Sequence, residues 1–167
     1  GGLESPLFYR GWKLTKLEFV VSANALEAMK DDGRAVLILG ANQQAGTVGS
    51  GEKVFLNYLY NHFNVVDNFE VSGELYAAQG AQWPVRVVVI DGRKANPTKK
   101  KLATDTVSHL KSWNEVYNKI SEVHDAIATR RDSLESDKRR DVVDPDTSGG
   151  EGNLSIQPGD VPVVERG

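Results

Sequence analysis

No cysteine occurs anywhere in the 167 residues. Disulfides and thiolate–metal sites are therefore excluded, and a reducing compartment is allowed. Long apolar runs are missing too. None approaches the roughly 18 residues of a membrane span, and the amino terminus has no signal-peptide pattern. There is no excess of positive charge: the net charge is −3, so no global basic field advertises nucleic acid. Hydrophobic residues make up 40% of the chain, a little low for a globular domain, which implies that part of it stays outside any core. The length suits one domain.

What is present is organised around Gly33-Arg34-Ala35-Val36-Leu37-Ile38-Leu39-Gly40. Five apolar residues between glycines read as a strand buried on both faces, as in a parallel sheet. Before it, Thr15 to Asp31 reads as a helix, with Phe19, Ala23, Leu26 and Met29 on one face and Thr15 with Glu18 as its capping box. After it, Gln43 to Gly51 is too glycine-rich for a regular element. Gly46 to Gly51 has the spacing of a phosphate-binding loop. That chemistry requires Lys and then Ser or Thr next, whereas Glu52 and Lys53 follow, and a carboxylate there repels phosphate. The loop reads instead as a long connection at the carboxyl end of a strand, the edge where open α/β sheets bind ligands.

Glu52 to Phe63 reads as a helix with Leu56, Leu59, Tyr60 and Phe63 on one face. His62, at its end, reads as a surface or capping residue rather than a ligand, because no second His, Asp or Glu stands at metal spacing. Val65 to Val71 and Val85 to Ile90 are strands. No helical segment separates them, which implies an antiparallel pair. Arg93, Lys94, Lys99, Lys100 and Lys101 follow without an acid among them, either a solvated linker or a set of phosphate contacts. Leu110, Trp113, Tyr117, Ile120, His124, Ile127 and Leu134 form a stripe on a helix that Ser112 and Glu115 cap. The helix is expected to fold back on the domain. From Asp141 onward, acids, glycines and prolines predict disorder.

Leu17-Glu18-Phe19, Ala25 to Gly40, Asn64 to Val71 and Pro84 to Ile90 resemble the carboxyl half of an adenine-specific (N-6) DNA methyltransferase domain. Such domains occur in type I modification subunits and in phage and plasmid helicase–methyltransferase (antirestriction) proteins. The resemblance spans Leu14 to Ile120. It implies an α/β fold: the last three strands of a Rossmann-like methyltransferase sheet, ending in an antiparallel hairpin, with flanking helices and a disordered acidic tail. Ala35–Leu39, Val65–Val71 and Val85–Ile90 would be its fifth, sixth and seventh strands. The last is expected between the other two, parallel to the fifth and antiparallel to the sixth, with Leu37 and Val88 inside. The expected divisions are an irregular segment (1–13), the partial α/β domain (14–92), a basic linker (93–111), a carboxyl-terminal helix (112–135) and the tail (141–167).

The family's catalysis rests on a glycine-rich turn that cradles S-adenosylmethionine and on an Asn/Asp-Pro-Pro-aromatic box that holds the flipped adenine. Neither stands in this sequence. Ser5-Pro6-Leu7-Phe8 echoes the related Ser-Pro-Pro-Tyr box but lacks the second proline and reads as loop. The chain is thus expected to begin after both motifs. No catalytic, cofactor-binding or metal residue is assigned, and no methyltransferase activity is expected of the chain alone. S-adenosylmethionine belongs to the intact family domain. The implied partners are DNA, through Arg93, Lys94, Lys99, Lys100 and Lys101, and the remainder of the domain or a larger polypeptide; neither membrane nor metal is implied. The implied location is the cytoplasm of a bacterial or phage-infected cell. Two alternatives stand beside this: a non-catalytic DNA-associated or protein-interaction module derived from that fold, and an unrelated small α/β enzyme that uses the Gly46–Gly51 loop.

Overall fold

The computed structural model describes residues 2–143, with side chains through 140. The chain divides into two units, Gly1–Arg131 and Asp132–Gly167. In the second, the described residues are the end of a helix with ion pairs Arg139–Glu135 (3.7 Å) and Arg140–Asp137 (3.3 Å) one turn apart. The segment expected to be disordered starts inside that helix, which runs to Val143; its remainder lies outside the described residues.

The first unit is a mixed α/β structure. Its amino-terminal segment, expected to be irregular, is a hairpin of β1 (Gly2–Tyr9) and β2 (Trp12–Lys16). Arg10 and Gly11 have φ of 49° and 85°, the left-handed pair that a two-residue hairpin turn needs. Thr15 belongs to β2, so α1 (Leu17–Ala28) begins at Lys16 without a side-chain cap, contrary to the expected capping box. Glu18 instead accepts a hydrogen bond from Gly40 N at 3.4 Å. Then come β3 (Arg34–Gly40), α2 (Ser50–His62), β4 (Phe63–Val71), a short 3-10 helix (Gly73–Gln79), β5 (Val85–Arg93), β6 (Ser108–Leu110) and α3 (Trp113–Val143).

The main sheet has the order β3-β5-β4-β6. β5 lies between β3 and β4, as expected, but it is antiparallel to both. The expected parallel pairing with β3 is overturned for a topological reason. β3 and β4 are joined by the crossover helix α2 and run the same way. A strand that reverses against one therefore reverses against the other. β6, which falls in the segment read as linker, pairs parallel to β4.

One face of the sheet carries the main core. Val88 and Ile90 of β5 and Leu39 of β3 pack there with Phe19 and Leu26 of α1, Phe55 and Leu59 of α2, and Leu14 of the hairpin. The Phe19 and Phe55 rings stack at 4.6 Å. Val88 is fully buried and Leu37 half-buried. The other face is smaller: Phe69, Val71 and Leu110 pack with Val87 and Val116. β3 is not buried on both faces, because Val36 and Ile38 are 61% and 69% exposed. α3 starts with the expected cap: Ser112 N donates to Glu115 Oε2 (3.1 Å) and Glu115 N to Ser112 Oγ (3.2 Å). It does fold back on the sheet, but through Val116 and Val123, not the expected Tyr117, which is 72% exposed. The inward face is thus set one residue off the aromatic stripe.

The hairpin is fastened to the helices by a charged knot. Arg10 donates twice to Glu27, from Nε (2.8 Å) and Nη2 (2.7 Å), and Tyr58 OH donates to Glu27 Oε1 (3.0 Å). The Arg10 hydrogen bonds pull the Glu27 carboxyl down to about 2. Because the folded value lies below the ordinary one, the stabilisation is present above about pH 4.5 and is lost as pH falls toward 2. After allowance for solvent, about 1–2 kcal/mol rides on this pair. Urea unfolding across that range is expected to show the loss, and Glu27→Gln to flatten it.

Candidate functional site

The glycine-rich loop is closed from within. Gly49 N donates to Glu52 Oε2 (2.8 Å), and Gly46 N donates to Glu70 Oε1 (2.9 Å). Two amides that a phosphate cradle would need are therefore taken by the protein's own carboxylates. Both carboxylates answer to Arg86 of β5, 1% exposed. Its Nε donates to Glu52 Oε1 (3.1 Å), Nη1 to Asn68 Oδ1 (3.4 Å) and Nη2 to Thr47 O (3.0 Å). Glu70 Oε2 lies 3.5 Å from Nη2 with no hydrogen bond of its own. His109 Nδ1 of β6 meets Glu70 Oε1 at 2.6 Å. The loop is thus a structural joint. Glu52, whose charge excludes phosphate on the sequence, also supplies its internal partner.

The basic segment is not a free linker. It runs as a strap across α2. Asn61 Nδ2 donates to Lys100 O (2.8 Å), and its Oδ1 accepts from Lys100 N (2.9 Å). One turn earlier, Asn57 Oδ1 accepts from Leu102 N (2.6 Å) and Ala103 N (2.8 Å). Beyond them Val48 N donates to Asp105 O and Val107 N to Gly46 O, both at 2.9 Å. These bonds return the chain to the glycine loop and lead it into β6.

The strap sorts the five cations. Arg93 Nη2 donates to Leu26 O, Glu27 O (2.8 Å) and Met29 O (3.0 Å), closing the carboxyl end of α1. Lys94 Nζ donates to Tyr60 O (2.5 Å) near the end of α2. Both complement the negative ends of helix dipoles. Lys99, Lys100 and Lys101 are exposed along the strap. His62, expected at the surface, is 7% exposed, and neither ring nitrogen has a hydrogen-bond partner among the described residues. Its burial was missed because the strap and the hairpin that cover it leave no local signal near position 62.

A third feature is the free side of β3. Ala41 N donates to Pro84 O (3.0 Å), and Gly33 O accepts from Gly92 N (2.8 Å). Odd-numbered residues of β3 thus face β5, and Arg34, Val36 and Ile38 direct their backbone groups outward, where no strand pairs among the described residues. The side chains of Val36 and Ile38 border an apolar groove of about 460 Å³ shared with Val87, Val89, Ile120 and Val123. At the far end of this face Asp91 is fully buried under Arg34, Arg130 and Arg131. Arg131 and Arg130 hold its carboxyl below the usual range against the opposing effect of burial.

Among the described residues no helix is long and apolar enough to cross a membrane, and no cluster of three or more His, Asp or Glu could hold a metal ion. Comparison with protein-family models, curated proteins and solved structures finds no match to this chain.

Arg86→Met tests the joint. It leaves two buried carboxylates without their cation and is expected to cost about 3–5 kcal/mol in urea unfolding. Adding Glu52→Gln and Glu70→Gln to the same chain should recover part of that loss.

Proposed function

We propose that this chain is the carboxyl-terminal portion of an S-adenosylmethionine-dependent DNA adenine methyltransferase domain, supplying the end of its sheet and none of its catalytic groups. The observation that carries the reading is the open side of β3: an unpaired strand edge with two apolar residues, Val36 and Ile38, more than half exposed. Such an edge invites another strand or aggregates. The order β3-β5-β4 supports it further, with the last strand of the hairpin inserted beside the first. The partner on this reading is the remainder of the domain or a larger polypeptide, in the cytoplasm of a bacterial or phage-infected cell. S-adenosylmethionine would be bound by that remainder.

The isolated chain is expected to transfer no labelled methyl group from S-adenosylmethionine to adenine in DNA; transfer by this polypeptide alone overturns the reading. The positive test is hydrogen exchange. The amides of Val36 and Ile38 should exchange freely in the chain alone. They should become protected when it is co-expressed with a polypeptide bearing a Gly-x-Gly turn and an Asn-Pro-Pro-aromatic box. Exchange unchanged in a co-purified complex counts against sheet completion.

Exposure of Lys99, Lys100 and Lys101 favours a second reading, a non-catalytic DNA-associated module. Arg93 and Lys94 are engaged with backbone carbonyls, so three free charges bound the log–log salt slope for duplex binding at about −2.7. Titration of a DNA duplex against the whole chain and a version ending at Arg140 measures it. Negligible binding by both at about 50 mM salt removes this reading.

A further inference from the structure

A cavity of about 480 Å³ opens where the hairpin turn, the end of α2 and the start of the strap meet. Arg10, Arg93 and Lys94 line it, Pro97 forms part of its wall, and His62 lies against it. Lys99 lies nearby: its Nζ is 3.3 Å from where a side chain on Gly11, the neighbour of Arg10, would begin. We propose that this cavity is a binding site for a terminal phosphate group, a phosphomonoester dianion, with His62 at its floor and Arg10, Lys94 and Lys99 at its rim.

Three observations carry the proposal. The first is His62 itself. A buried imidazole with neither nitrogen bonded is costly, and this ring is one of the groups that line the cavity. The second is charge. Arg10, Arg93, Lys94 and Lys99 surround the ring, against Glu27, which Arg10 and Tyr58 hold, and Asp31, whose side chain is 97% exposed. The third is donor supply. Arg10 binds Glu27 through Nε and Nη2, Arg93 binds carbonyls through Nε and Nη2, and Lys94 uses one of its three N–H groups. Arg10 Nη1 and the remaining protons of Lys94 take no acceptor among the described residues, while Arg93 Nη1 lies 3.8 Å from Glu27 Oε2.

Shape decides the ligand class. A duplex presents its phosphodiesters on a convex surface and cannot bring one to the floor of a recess, whereas a terminal phosphate on a small molecule enters end-on. Its second negative charge also suits a site with this many cations. Burial depresses the His62 pKa, and Arg10, Lys99 and Arg93 depress it further. A bound dianion offsets those charges, so binding is expected to raise the value. The groups that face the ring in that titration are Arg10, Glu27, Tyr58, Arg93, Lys94 and Lys99. This inference does not depend on sheet completion at β3, which lies on another surface.

The test is NMR of the His62 ring in the whole chain, titrated with inorganic phosphate and with phenyl phosphate. Both should move the signal saturably and raise its pH midpoint. Lys99→Ala, an exposed position that leaves the fold intact, should weaken binding about two- to five-fold, the worth of a solvent-accessible ion pair. Lys101→Ala, of equal charge and outside the cavity, should not. Four outcomes overturn the proposal: no saturable shift up to about 20 mM phosphate, twenty times a millimolar Kd; the same shift with sodium chloride at matched ionic strength; equal weakening by Lys99→Ala and Lys101→Ala; or a DNA duplex moving His62 as phenyl phosphate does.

Discussion

A single buried guanidinium fixes how the elements of this protein meet. Arg86 sits on the core side of the central strand, level with Leu39 on β3 and Glu70 on β4. A charge so placed costs several kcal/mol unless partners surround it. Its partners come from four places: Glu52 in the first turn of α2, Asn68 and Glu70 of β4, the carbonyl of Thr47, and through Glu70 also His109 of β6. None of these elements can shift by a residue without leaving the cation or a carboxylate unpaired. Glu52 gains from the amino-terminal end of the helix dipole as well. The glycine loop therefore adopts one shape despite its composition: its carbonyl and two of its amides are ligands of the same network.

Local chemistry made part of this fold legible in the sequence. Ser112 and Glu115 cap α3 because their partners lie within four residues, and the hairpin of β4 and β5 followed from the lack of a crossover helix. What escaped depends on distant groups. Arg86 looks like any polar residue in an alternating strand, because the carboxylates that bury it stand 34 and 16 positions away. Ala35 to Leu39 reads as a strand covered on both faces, since composition records what a face can bury and not what covers it. Arg10-Gly11 is a hairpin signal that went unread because Pro6 disguised β1 as a loop. The direction of β5 against β3 was readable in principle: a crossover helix followed by a tight reversal leaves one answer.

The strap shows how a run of like charges can divide into different roles. Asn57 and Asn61, one turn apart on α2, hold its backbone at Lys100, Leu102 and Ala103. Those side chains replace the ladder that a strand would have made and satisfy amides that would otherwise lie unpaired against a helix. With the backbone fixed there, the side chains of Lys99 to Lys101 are left to solvent, while Arg93 and Lys94 turn inward to the helix ends. Cations counted together in the sequence are thus structural at one end and exposed at the other.

β5 carries its opposite charges on opposite faces. Arg86 points into the α1–α2 core and gathers carboxylates; Asp91 points to the α3 side and gathers Arg34, Arg130 and Arg131. Each is the polar anchor of one layer, and both lie on the central strand. The layers are therefore held from the middle of the sheet outward, and the edge at β3 contributes no partner to the Arg86 network. Arg34 is the one β3 residue that joins either anchor, and its side chain is 55% exposed. A strand added at β3 would pair with backbone groups that point outward and would cover Val36 and Ile38 without disturbing Arg86 or the bond from Arg131 to Asp91. That separation is the physical reason a sheet with an open apolar edge can still enclose a complete core.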